Sequence, residues 1–132
     1  MTDHSHIETG VDQNQSRRWH QVQGDLRDPA LQLRELIPDV LKSYAGLHKA
    51  AIAEGQLDVR TKELIALAVA VSVRCDGCIV SHARSLARVG ASKQEVAEAI
   101  GVAILLTGGP GTVYGPRALE AFLEYLPDYQ NR

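Results

Sequence analysis

The chain reads as all-α, one bundle of five to six helices with a Cys-x-x-Cys at a helix N-terminus. Three observations predict this. Apolar residues recur at helical spacing along most of the chain, and no segment carries convincing strand alternation. Aromatics are only 5% while Ala, Leu and Val dominate, a composition suited to closely packed helices. At 132 residues there is room for one core but not two.

Residues 1–24 are rich in His, Gln, Asn, Ser and Thr and lack apolar periodicity, so they are expected to form a polar arm ahead of a helical domain over 25–132. His4 and His6 lie in that arm and are read as solubility-conferring rather than as metal ligands. Asp28-Pro29 looks like an N-cap with proline at the first helical position, opening a short helix to about residue 37. Pro38 restarts a helix whose apolar positions Val40, Leu41, Tyr44, Leu47 and Ala51 follow helical spacing, and Gly55 is a plausible stop. Asp58 then caps a helix over 59–73 whose body is apolar on every side. Such a helix must be surrounded, either by its own subunit or by another.

After Cys75-Asp76-Gly77-Cys78 the pattern becomes amphipathic. Ile79, Ala83, Leu86 and Ala87 share a stripe, Arg84 and Arg88 fall off it, and Gly90 ends the helix. Ser92-Lys93-Gln94-Glu95 has the form of a capping box, so the next helix starts there and runs to about Thr107. Gly108-Gly109-Pro110-Gly111 is expected to break the chain before a last helix over 117–125.

Charge and hydropathy exclude several function classes. The net charge is −2 and the basic residues are scattered, which leaves no electrostatic footprint for nucleic acid. The longest apolar run, residues 64–73, is too short to span a bilayer. Residues 1–10 lack the apolar core of a signal peptide, so a cytoplasmic location is expected. The chain has two cysteines, three positions apart. In a reducing compartment such a close pair reads as catalytic, redox-sensing or metal-binding rather than as a secretory staple.

The spacing sets out the chemistry. With Cys75 and Cys78 in the first turns of one helix, their β-carbons lie about 5–6 Å apart, and a modest local adjustment brings them to the roughly 3.8 Å of a disulfide. His82 follows Cys78 by one turn on the same face, placed to accept its proton directly or through one water. From Cys75 the imidazole is about 10 Å along the axis, too far for contact. Cys75 instead feels the positive end of the helix dipole, which also favours thiolate. Glu63 is the sole acid between positions 59 and 73. If the two helices fold back near residue 74, Glu63 and His82 differ by about 4.5 Å in axial position, within side-chain reach. A carboxylate there would hold the imidazole tautomer.

The stretch Arg60-Thr61-Lys62-Glu63-Leu64-Ile65-Ala66-Leu67-Ala68-Val69-Ala70, followed by Cys75-Asp76-Gly77-Cys78-Ile79-Val80-Ser81-His82, resembles the AhpD-like alkylhydroperoxidase branch of the carboxymuconolactone decarboxylase family. Gly90-Ala91-Ser92-Lys93-Gln94-Glu95-Val96 is similar to that family's turn into its next helix, and the resemblance covers roughly residues 40–125. It implies an all-helical subunit in trimers or hexamers and a peroxide-reducing or disulfide-exchanging activity without metal, flavin or other cofactor. It also implies a proton relay that maps onto Glu63, Cys75, Cys78 and His82. Some members carry a His immediately before the second Cys; Gly77 stands here, which removes one relay member. The decarboxylase branch typically lacks the Cys pair.

The expected substrate is therefore a hydroperoxide, and the expected reductant an external thiol or dithiol protein of lipoyl or thioredoxin type. Three alternatives stay open from the residues alone. These are a protein thiol–disulfide oxidoreductase, a non-enzymatic redox-sensing oligomer, and a zinc site on Cys75, Cys78 and His82.

Overall fold

A computed structural model describes residues 17–130, and every regular element among them is helical. The order is α1 (Arg18–Leu36), α2 (Pro38–Ile52), α3 (Val59–Ser72), α4 (Asp76–Arg88), α5 (Lys93–Thr107) and α6 (Gly109–Tyr125), closed by the single turn α7 (Pro127–Gln130). α3, α4, α5 and α6 pack on one another around one core. Leu67 and Val71, Ile79 and Leu86, Val96 and Ile100, and Ala118 and Phe122 supply it from the four helices in turn. The amphipathic stripe of α4 faces inward as its sequence dictates: Ile79, Ala83, Leu86 and Ala87 are all buried.

The helix starts that depend on local chemistry form where the sequence places them. Asp58 accepts a hydrogen bond from the Thr61 amide at 2.7 Å and opens α3; bonding to Thr61 holds its carboxyl below the ordinary range. Ser92 and Glu95 close a capping box at α5, with the Ser92 amide donating to the Glu95 carboxylate and the Glu95 amide to the Ser92 hydroxyl. α2 begins at Pro38, as expected.

Two boundaries differ. α1 does not open at Asp28 but ten residues earlier, at Arg18, with Pro29 inside it, so residues 18–24 of the expected arm are helical. The reason is tertiary. Trp19 is fully buried, and the Trp19 and His20 amides donate to the Glu124 carboxylate of α6 at 3.1 and 2.7 Å. A carboxylate more than a hundred residues away does the work of an N-cap. Residues 1–16, with His4 and His6, lie outside the described residues. The second difference is α6, which starts at Gly109 rather than near Arg117. Only Gly108, at φ +64, interrupts the helices; Pro110 takes an early-turn position where its missing amide costs nothing. Gly115 then lets α6 close on α5, since a β-carbon there would lie 2.7 Å from Ile100 Cγ2.

The apolar body of α3 is covered on one side only. Ile65 and Val69 are half exposed, and with Val102 and Leu106 of α5 they line an open apolar groove of about 350 Å³. α2 contributes no buried residue at all, and Val40, Tyr44 and Leu47 each stand more than 60% exposed. No helix of the described residues is long and apolar enough to cross a membrane.

Candidate active site

The corner between α3 and α4 is built by a helix end that reverses the chain abruptly. The Arg74 amide donates to the Val71 carbonyl at 3.2 Å and the Cys75 amide to the Ala70 carbonyl at 3.1 Å, the paired closure of a Schellman motif. α4 ends in the same way, through the Gly90 and Ala91 amides onto Ala87 and Leu86. There the left-handed position is a glycine at φ +79; at the α3 end it is Arg74, at φ +57. A side chain therefore sits in a conformation that glycine adopts freely, directly before the cysteine pair.

Cys75 emerges from that turn as the N-cap of α4, in an extended conformation at φ −104 and ψ 97. Its sulfur accepts from the Cys78 amide at 3.2 Å, and the two cysteines are joined in a disulfide with α-carbons 5.2 Å apart. The adjustment that the i, i+3 spacing demands is thus made by keeping Cys75 outside the helix. Gly77 has its own cause: a β-carbon there would lie 3.0 Å from Leu26 Cδ1, so α1 closes over the motif. Asp76 anchors the same turn to α6 through Arg117 at 2.6 Å, and that guanidinium lies over the Trp19 and Tyr114 rings.

Glu63 and His82 meet across the corner. Glu63 lies one turn into α3 and is 2% exposed; its Oε2 stands 2.6 Å from His82 Nδ1. An ionised carboxylate only accepts, so Nδ1 carries a proton and Nε2 of the neutral ring is left as the acceptor. No hydrogen bond to Nε2 forms among the described residues. His82 lines a cavity of about 290 Å³ together with Cys75, Cys78, Gly77 and Ser81. The structure therefore brings all four sequence-predicted residues, Glu63, Cys75, Cys78 and His82, to one corner, three of them on the cavity wall and Glu63 buried behind His82.

The sequence reading missed His48. It reaches the cavity from α2 beside Tyr44, and its ring stacks on His82 with centroids 6.2 Å apart and planes at 20°. Tyr44 and His48 are one turn apart, but nothing within α2 says which helix that face meets. His48, Glu63 and His82 each offer a donor atom within 4.8 Å of the others.

The sequence profile of the carboxymuconolactone decarboxylase family matches residues 38–121, from the start of α2 into the last turns of α6 and across the whole corner. The chain belongs to the carboxymuconolactone decarboxylase family. An apo crystal structure of a family protein from Legionella pneumophila superposes with a TM-score of 0.81 at 35% identity, covering 83% of this chain and 98% of that one. An uncharacterized protein of Haemophilus influenzae is 41% identical over 104 residues, covering 79% of this chain and 92% of its own length. Another, from Cupriavidus necator, is 38% identical over 85 residues, covering 64% and 75%. Family membership fixes the helical frame; the cysteine pair and its neighbours must speak for the chemistry.

Proposed function

We propose that this family member is an AhpD-like thiol peroxidase that reduces hydroperoxides through a Cys75–Cys78 dithiol/disulfide cycle. The reading rests on the 2.6 Å Glu63–His82 hydrogen bond lying behind a cavity rimmed by both sulfurs. In the reduced chain, Glu63 orients His82 and His82 takes the Cys78 proton. The Cys78 thiolate attacks the terminal oxygen of the hydroperoxide, the O–O bond breaks, and the proton held by His82 goes to the departing alkoxide to give an alcohol. Cys78 is left as a sulfenic acid. The Cys75 thiol then attacks the Cys78 sulfur, closing the disulfide and releasing water. An external dithiol protein supplies two electrons and two protons to reopen the pair. Cys78 is assigned the attacking role because His82 follows it by one helical turn, whereas Cys75 caps the helix and already accepts from the Cys78 amide.

The test is hydroperoxide turnover with a dithiol reductant, combined with sulfenate trapping in the two single-cysteine variants. Cys75→Ser is expected to accumulate a sulfenate on Cys78, and neither variant to turn over. A sulfenate that forms only on Cys75 reverses the assignment. A protein disulfide that turns over far faster than any hydroperoxide replaces the peroxidase with a thiol–disulfide oxidoreductase.

We further propose that the chain works as a homo-oligomer, a trimer or hexamer by resemblance. Support comes from the surface: Leu105 and Leu106 of α5 are about four-fifths exposed, and Leu106 lines the open α3–α5 groove. Light scattering at micromolar concentration is expected to give an assembly that Leu105→Asp with Leu106→Asp dissociates. A monomeric wild-type chain contradicts it.

A further inference from the structure

We infer that His48, Glu63 and His82 form a binding site for a divalent transition ion of the zinc class, separate from any site built on the cysteines. Two imidazoles and one carboxylate make a donor set that zinc accepts, with the fourth tetrahedral position left to water. The three side chains come from three different helices, α2, α3 and α4; His48 and His82 line the cavity wall and Glu63 lies buried behind His82. Their donor atoms all lie within 4.8 Å of one another. Bond lengths of about 2.0–2.2 Å put neighbouring ligands of a tetrahedral ion roughly 3.3 Å apart, so the cluster must contract by about 1.5 Å at most. Glu63 Oε2 and His82 Nδ1 stand 2.6 Å apart across a hydrogen bond, so an ion held by both atoms displaces the Nδ1 proton and parts them by about 0.7 Å. The remaining closure falls to His48, which is exposed and belongs to a helix with no buried residue. The buried member is the carboxylate, whose single hydrogen-bond partner among the described residues is His82. A cation at this point would balance a carboxylate that burial otherwise penalises.

None of the three ligands is a cysteine, so the site persists while the disulfide is closed, unlike the zinc arrangement on Cys75, Cys78 and His82 considered from the sequence. A bound ion would engage the imidazole that the peroxidase reading uses as its base, and so would hold the corner inactive; that consequence alone rests on the proposed function.

The experiment is a zinc titration of the full-length oxidised chain, followed calorimetrically and by competition with a chromophoric chelator, with no peroxide present. The site predicts one ion per chain. His48→Ala is expected to weaken binding by more than about tenfold, since even the outer partners of metal ligands typically carry tenfold effects. Glu63→Gln is expected to weaken it similarly. A variant with both His4→Ala and His6→Ala is expected to bind within twofold of wild type. The inference is overturned if the oxidised chain takes up no zinc, if His48→Ala binds as tightly as wild type, or if the His4/His6 variant is the one that loses the ion. All three outcomes are read without turnover, so they leave the peroxidase reading to its own test.

Discussion

The molecule holds two histidines against glutamates at the same distance, and they do different things. At the α3–α4 corner, His82 Nδ1 lies 2.6 Å from Glu63. At the α1–α6 corner, His20 Nδ1 lies 2.6 Å from Glu124, whose carboxylate also accepts from the Trp19 and His20 amides. The second ring nitrogen separates them. His20 Nε2 is engaged by Asp128 at 2.8 Å, and the ring leans on Tyr125 with centroids 4.1 Å apart. Both ends of that imidazole are occupied, so it clamps α1 to the end of the bundle and has no free lone pair to offer. His82 keeps Nε2 unengaged by the described residues, on the wall of a cavity that also holds both sulfurs. A His–Glu pair is therefore no relay by itself; the proposed relay needs the free nitrogen and the neighbouring cysteines as well.

Removing each histidine breaks this contrast most sharply. His82→Ala is expected to lower peroxide turnover by about a hundredfold or more, the usual reach of a positioned general base. Glu63→Gln, which keeps the shape but not the charge, is expected to cost at least about tenfold in the same assay. His20→Ala is expected to leave turnover within twofold. Its loss appears in stability, about 1–3 kcal/mol by urea unfolding, because the largely buried Glu124 carboxylate loses a partner. Equal activity losses from His82→Ala and His20→Ala would erase the distinction.

Smaller effects distinguish the corners by backbone and by pH. Arg74 at φ +57 holds the site corner in a conformation that glycine would relieve, so Arg74→Gly is expected to raise stability by up to about 1 kcal/mol in the same unfolding assay. At the clamp corner, burial pushes the Tyr125 phenol up to about 12, and its hydroxyl bonds Gln23 at 2.6 Å. An unfolded tyrosine titrates near 10, so the folded chain keeps this proton longer. The stability it contributes is intact below about pH 10 and is lost as pH rises through about 12. A urea midpoint that falls over this window in wild type, and falls less in Tyr125→Phe, is the expected result.

The same contrast explains what the sequence made legible. What α3 and α4 bring to the site corner is encoded within the twenty-five residues from Asp58 to His82: the Asp58 cap, the fold-back near residue 74, and a Glu63–His82 register that helix geometry alone brings within reach. Ser92 and Glu95 likewise announce their own capping box. The clamp corner is encoded across the whole chain. No local pattern shows that Glu124 caps a helix beginning at Arg18, so Asp28-Pro29 passed for the start. Gly109-Pro110-Gly111 reads as a break because the partner that makes Gly111 useful is α5, whose Ile104 and Thr107 leave no room for a β-carbon there. His48 was invisible for the same reason: its companions belong to α3 and α4, while its own helix buries nothing that would reveal which way it faces.

The most direct test is a thiol titration of the reduced chain before and after one equivalent of hydroperoxide. The dithiol cycle predicts that both thiols of each chain disappear together and that one equivalent of alcohol is formed. Two thiols still titrating per chain, with the hydroperoxide unconsumed, would contradict it.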